Sequence, residues 1–205
     1  MRLGILGGAF NPPHLGHLAC AQEAHGRLGL EVVVFVPVGV PPHREIEQDP
    51  GAEVRVQLCD YAVAADARFA LSRIEVDREG PSYMSDTLRL IGERSPGDDL
   101  VLIIGADQAG ALPEWHEPKA VLQLATVAVA AREGMERESV LRRLEGLDGH
   151  ERIEFFDMPR LDISSTMVRE RAAAGRPIRY LVPDKVANYI GAKSLYGAST
   201  PVAAE

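Results

Sequence analysis

Apolar positions along the chain fall into short unbroken runs and longer spaced series, in alternation. RLGIL at 2–6, EVVVFVPV at 31–38, residues 68–76, DLVLIIG at 99–105, ATVAVAA at 125–131 and ERIEFFDM at 151–158 predict strands. The β-branched runs lack polar alternation, as strands covered on both faces do. Helical spacing predicts helices at 16–28, 53–65, 84–94, 117–124, 136–146, 164–174 and 184–192. Repeated strand–helix alternation implies α/β architecture, a Rossmann-like doubly wound parallel sheet, here with a small helical C-terminal part at about 160–196. Residues 1–196 are expected to form a single domain and 197–205, small and polar, a flexible tail. The proline- and charge-rich stretch 39–52 reads as a long loop, a length more often functional than not.

Composition narrows the class. Of 205 residues 46% are apolar and 25% charged, an ordinary balance for a globular protein. The net charge of −8 excludes a general nucleic-acid binder, which needs a basic face, but permits an anionic small substrate. Cys20 and Cys59 lie in helical, apolar surroundings and are expected to be buried, reduced thiols rather than metal ligands. No run approaches the ~20 apolar residues of a membrane span. The N-terminal apolar run is broken by glycine and proline, unlike a signal peptide, so a cytoplasmic setting is expected. A homo-oligomer stays open.

In a doubly wound sheet, ligands bind beyond the carboxyl ends of the strands. GGAFNPPHLGH follows the first strand directly. Gly7 and Gly8 allow close approach to the backbone, and Pro12 and Pro13 stiffen the turn. His14 and His17, three apart around Gly16, would share a face of the first turn of the next helix. Free N–H groups and the helix dipole add to a polyphosphate site there. The dinucleotide fingerprint and the Walker phosphate loop are both absent.

This segment resembles the signature of the H-x-G-H nucleotidylyltransferase superfamily, and within it that of bacterial nicotinate-nucleotide adenylyltransferase. Later segments carry the same resemblance, from Met1 to about Tyr196. VPPHR at 40–44 has Arg44 where the family has lysine. PSYMSDTL at 81–88 is similar to the family's nicotinate-recognising segment, with Met84 in place of threonine. IIGADQAGALPEW at 103–115 is similar to a nucleotide-binding segment with a downstream tryptophan, although Ala111 is smaller than the usual residue. Near Arg132 the family has an arginine-proline-glycine turn, and here Glu133 replaces the proline. ISSTMVR at 163–169 matches a helix-start phosphate motif in full.

The resemblance implies transfer of AMP from ATP to nicotinate mononucleotide, giving nicotinate adenine dinucleotide and pyrophosphate. His14, His17 and Arg169 would be catalytic, the histidines binding and neutralising phosphates. ATP would lie against Gly7, Gly8, Ala9, Phe10, Gly16, Gly105, Asp107, Ile163, Ser164, Ser165 and Thr166. The acceptor would meet Gly8, Ala9, Arg44, Ser82, Tyr83, Met84, Asp86, Thr87, Arg132 and the Trp115 indole, which can stack on a pyridine ring. Arg55 is a weaker candidate, expected to pair with Glu53. Mg²⁺ would be held mainly through ATP phosphates. Competing readings are adenylyl transfer to nicotinamide mononucleotide or phosphopantetheine, cytidylyl transfer to a phosphorylated alcohol, and a nucleotide sensor without catalysis.

Overall fold

The computed structural model describes residues 1–42, 45–131 and 137–198. The strands are β1 (Arg2–Gly8), β2 (Val32–Pro37), β3 (Phe69–Leu71), β4 (Asp99–Gly105), β5 (Thr126–Ala131) and β6 (Ile153–Asp157). They form one parallel sheet in the order β3-β2-β1-β4-β5-β6. Helices α1 (Leu15–Leu28), α2 (Ala52–Val63), α3 (Met84–Arg94), α4 (Ala106–Ala111), α5 (Pro118–Leu124), α6 (Arg137–Leu144), α7 (Ser165–Ala173) and α8 (Asp184–Ala192) connect and follow them.

The unbroken apolar runs follow from helices on both faces, because a strand's side chains alternate in direction. Leu100, Leu102 and Ile104 of β4 enter one core with Leu88, Ile91, Val121, Leu122 and Leu144. Val101 and Ile103 of the same strand enter the opposite core with Ala21, Ala24 and Leu28 of α1 and Cys59 and Val63 of α2. A third cluster joins Leu58 and Ala62 of α2 to Val168 and Ala172 of α7 and Val186, Ala187 and Ile190 of α8. The C-terminal helices therefore dock on the outside of α2, beside the mouth of the sheet.

Three expectations change. The strand expected over 68–76 is only three residues long. At the sheet edge β3 pairs with β2 alone, and after Ser72 donates to Phe35 O the chain turns away. The segment after β4, where no helix is expected before 117, opens with α4, whose first turn carries Asp107. The tail does not start at 197, since Ala198 is buried in the third cluster. Residues 199–205 lie outside the described part. Among the described residues no helix is long and apolar enough to cross a membrane.

Candidate active site

Strand order reverses between β1 and β4, the place beyond whose carboxyl ends ligands bind in such sheets. A cleft of about 1020 Å³ opens at that point. It is at the top of the ~300–1,000 Å³ range of small-ligand sites. Its walls include Gly7 and Gly8 of β1, Gly105 of β4, Ala130 of β5, the start of α1, the Ser82–Met84 segment, Asp107 of α4 and the start of α7. The loop after β2 contributes Pro41, Pro42, Glu45, Ile46 and Glu47.

One end of the cleft is built around α1. His14 is its N-cap with extended backbone, and its N–H donates to His17 Nδ1 at 3.1 Å. A neutral imidazole that accepts at Nδ1 carries its proton on Nε2, so His17 presents an Nε2–H donor. The two rings lie 3.7 Å apart at 33°. His14 folds over Gly16, where a Cβ would come within 3.0 Å of its ring, so the central glycine makes room for the pair. Phe10, 2% exposed, sets its ring edge-on against His17 at 5.1 Å.

Burial pushes the His14 imidazole down to about 4. His17 is also held well below the usual histidine range, by burial and then by His14 beside it. Before an anion arrives the pair is neutral at pH 7, so it offers N–H donors rather than the charge expected of it. A phosphate alongside would favour proton uptake.

The start of α7 faces this pair across the cleft. Ser164 Oγ accepts from Met167 N–H at 3.1 Å, and Ser165 Oγ donates to Pro12 O at 2.8 Å. Thr166 Oγ1 accepts from Arg169 at 3.4 Å. All three hydroxyls are thus engaged within the protein. Ser165 has spent its proton, whereas Ser164 and Thr166 only accept, so their O–H groups remain for an anion beside the free first-turn backbone N–H groups. Arg169, 7% exposed, donates to Asn11 O at 3.0 Å and to Glu47 Oε2 at 3.2 Å, while its buried Nε has no partner. Asn11 also donates to Glu47 O at 2.8 Å and accepts from Tyr196 Oη at 2.8 Å. A glutamate carboxylate therefore rests on the guanidinium where a phosphate is expected to sit.

The other end is built around α3. Ser82 N–H donates to Val40 O at 2.8 Å, and Ser82 Oγ accepts from the N–H groups of Gly39 and Val40 at 3.1 and 3.2 Å. Tyr83 stacks on His116 with ring centroids 4.1 Å apart. Met84 and Trp115 line the same wall. Met84 Cε lies over Gly7 so closely that a Cβ there would meet it at 2.8 Å.

Asp86 and Thr87, expected at the acceptor, do not line the cleft. Asp86 faces outward on α3 and pairs with Arg89 at 3.0 Å. Thr87 is buried behind the wall, its Oγ1 2.7 Å from Glu75 Oε1. Arg44 and Arg132 lie outside the described residues. Gly7, Gly8, Ala9, Phe10, His14, Gly16, His17, Ser82, Tyr83, Met84, Gly105, Asp107, Trp115, Ile163, Ser164, Ser165, Thr166 and Arg169 all reach the cleft.

Arg55 does not pair with Glu53, which pairs instead with Arg73 at 2.8 Å. Fully buried, Arg55 pairs with Asp49 at 2.9 Å and donates to Ala9 O at 3.2 Å and Val38 O at 2.7 Å. It joins the loop after β1 to the exit of β2, and so one end of the cleft to the other. Sequence reasoning undervalued this residue, although 55, 58, 59 and 62 share one helix face and the other three are apolar. It also missed Asn11, Glu47, Glu75, His116 and Tyr196, whose roles depend on contacts across long stretches of chain.

Comparison with known proteins agrees with this architecture. The cytidylyltransferase-like family profile matches residues 5–171. The chain is 38% identical over 195 residues to nicotinate-nucleotide adenylyltransferase of Bacillus subtilis, covering 95% of this chain and 98% of that protein. It is 41% identical over 202 residues to the probable nicotinate-nucleotide adenylyltransferase of Geobacillus thermodenitrificans, covering 98% and 89%. Among solved structures, nicotinic acid mononucleotide adenylyltransferase of Plasmodium falciparum complexed with NaAD shares the fold. The TM-score is 0.78 at 16% identity, covering 97% of this chain and 98% of that one. A cleft at the sheet's switch point, the GGAFNPPHLGH and ISSTMVR segments brought together across it, and identity near 40% along almost the whole chain place the protein in the cytidylyltransferase-like family, among the nicotinate-nucleotide adenylyltransferases.

Proposed function

We propose that the chain joins the AMP part of ATP to nicotinate mononucleotide, with pyrophosphate leaving, and does so in the cytoplasm. The observation that carries this reading is the two-ended cleft. A buried arginine, two imidazole N–H groups and the start of α7 converge at one end, and an aromatic wall with backbone donors stands at the other. The phosphate of the mononucleotide is the nucleophile. It is ionised at neutral pH, so attack on the α-phosphorus of ATP needs neither a general base nor a covalent intermediate.

Catalysis then consists of alignment and stabilisation of charge. His14 and His17 hydrogen-bond the α-phosphate and gain proton affinity as negative charge gathers there. Arg169 exchanges Glu47 for the departing pyrophosphate. Asp107 accepts from ribose hydroxyls, and Trp115 stacks on the pyridine ring. Met84 serves the nicotinate carboxylate through its backbone N–H, its side chain being turned onto Gly7.

Among the described residues no group of three or more His, Cys, Asp or Glu gathers as a metal cage. His17 Nδ1 is moreover occupied by a backbone N–H. These donors fit phosphate oxygens better than a cation, so Mg²⁺ would be carried by the triphosphate and water, where it offsets phosphate charge.

The test is pyrophosphate release from ATP and Mg²⁺ with nicotinate mononucleotide, nicotinamide mononucleotide and phosphopantetheine offered separately. A strong preference for nicotinate mononucleotide is expected. Preference for another acceptor overturns the acceptor assignment, and silence with all three supports a nucleotide sensor instead.

A further inference from the structure

Glu75 lies between β3 and α3 in a stretch where no motif points to it. It is 3% exposed and reaches the cleft wall behind Ser82. Its surroundings constrain where hydrogens can be. Ser82 Oγ already accepts two backbone N–H groups, from Gly39 and Val40, which use both its lone pairs. The Ser82 hydroxyl proton is left to donate, and the Glu75 carboxyl is its neighbour. Thr87 Oγ1 lies 2.7 Å from Glu75 Oε1 and 3.1 Å from Tyr83 O, but has one proton to give. Tyr83 O also accepts from Thr87 N–H at 3.1 Å, so the Thr87 hydroxyl can serve Glu75 when the carboxyl is ionised and turn to Tyr83 O when Glu75 carries the proton.

An undissociated Glu75 completes the chain: Glu75 O–H to Thr87 Oγ1, Thr87 O–H to Tyr83 O, and Ser82 O–H to the other Glu75 oxygen. Every group then has a partner. The main chain closes on the same point, since a Cβ on Gly39 would fall 2.2 Å from Glu75 O. We propose that Glu75 is a positioning residue that sets the Ser82–Met84 wall, and through it the acceptor end of the cleft.

Two cations face this carboxyl, Arg55 from α2 and Arg78 from its own loop. Neither is committed to it: Arg55 pairs with Asp49, and Arg78 donates to Pro81 O at 3.4 Å. The remaining neighbours are the Ser82 and Thr87 hydroxyls and the Gly39 backbone, which do not titrate. Burial raises the Glu75 carboxyl to about 7, against the opposing pull of Thr87, Arg78, Ser82 and Arg55. An opened wall would return Glu75 to water and to an ordinary carboxylate pKa. By linkage the closed wall is most favoured at low pH, and its advantage is lost as pH rises from the ordinary carboxylate range through about 7.

The proposal rests on the acceptor assignment made above, and two readouts separate them. The kinetic readout is KM for nicotinate mononucleotide and for ATP between pH 6.5 and 8.5. For the wild type, the acceptor KM is expected to rise roughly fivefold over that range, about the value of one hydrogen bond, with the ATP KM within twofold. In Glu75→Gln the amide N–H replaces the acid O–H and cannot ionise, so the rise disappears. In Glu75→Ala the acceptor KM is roughly tenfold higher throughout, again without a matching change for ATP.

The second readout is amide hydrogen exchange of residues 39–42 and 81–87 at pH 8.5, which needs no turnover. Faster exchange in the wild type than in Glu75→Gln supports the proposal, even if no acceptor is turned over and the functional reading fails. Equal exchange in the two proteins, or a wild-type pH dependence that Glu75→Gln keeps, overturns it.

Discussion

The two ends of the cleft are built in opposite ways. At the phosphate end, side chains are tied across the chain: Arg169 to Asn11 O, Ser165 to Pro12 O and Tyr196 to Asn11. At the acceptor end, two neighbouring loops are joined locally, Ser82 N–H to Val40 O and the N–H groups of Gly39 and Val40 to Ser82 Oγ, with an aromatic wall in front. For the proposed reaction, the first arrangement suits an ion whose charge is the chemistry, and the second suits a flat ring, where fit and stacking matter more than charge. Arg55 is bonded to both, through Ala9 O and Val38 O.

The largest expected effect comes from removing that joint. Arg55→Met removes the ion pair of Asp49 and leaves the carbonyls of Ala9, Val38 and Gly39 without the guanidinium donor, and should cost about 3–5 kcal/mol in denaturant unfolding. It should also raise KM for both substrates. A change of KM for only one would place Arg55 at one end rather than between them.

Next is His17→Ala, which removes a donor from the phosphate end alone. Turnover should fall ~10²–10³-fold with acceptor KM little changed, and activity within a few-fold of wild type would overturn the role.

The same histidines predict a pH effect on stability. Their folded pKa values lie below the unfolded one, so between pH 6.5 and about 4 the unfolded chain binds more protons. The stabilisation is fully present above 6.5 and is lost as pH falls towards 4. For His14 it amounts to on the order of 3 kcal/mol, read as a falling Tm that flattens in His14→Asn.

Smaller effects belong to the acceptor end. Trp115→Ala should raise acceptor KM roughly fivefold, a loss of about 1 kcal/mol of stacking, and leave ATP KM alone. Asp86→Ala should do least, within ~1 kcal/mol of stability and with unchanged KM, because its partner is an exposed Arg89 on its own helix. A large rise in acceptor KM from Asp86→Ala would mean that α3 turns on binding and brings that face to the ligand.

Element order and the strands of the sheet were legible because their signals are local. β4 reads as apolar on both faces, and α7 starts at a run of hydroxyl residues and ends near Gly175. The phosphate-end residues were legible for the same reason, since GGAFNPPHLGH and ISSTMVR each carry their chemistry within one turn of chain. The end of β3 was not, because the edge strand leaves β2 at Phe35, before β2 itself ends, while the apolar pattern continues past that point. Asp86 looked like a ligand from its motif, but its rotation about the α3 axis turns it outward.

By itself the sequence determined the alternation of elements, the placing of the GGAFNPPHLGH turn after the first strand, and the family. Tertiary structure alone decided that His14 and His17 are neutral, because desolvation depends on what packs around a ring. It decided that Glu47 occupies Arg169 and that Arg55 is the joint between two loops. It also brought Ser82, Thr87 and Glu75 onto one hydrogen-bond chain, since no spacing rule relates residues that meet only when the sheet edge and α3 close on each other.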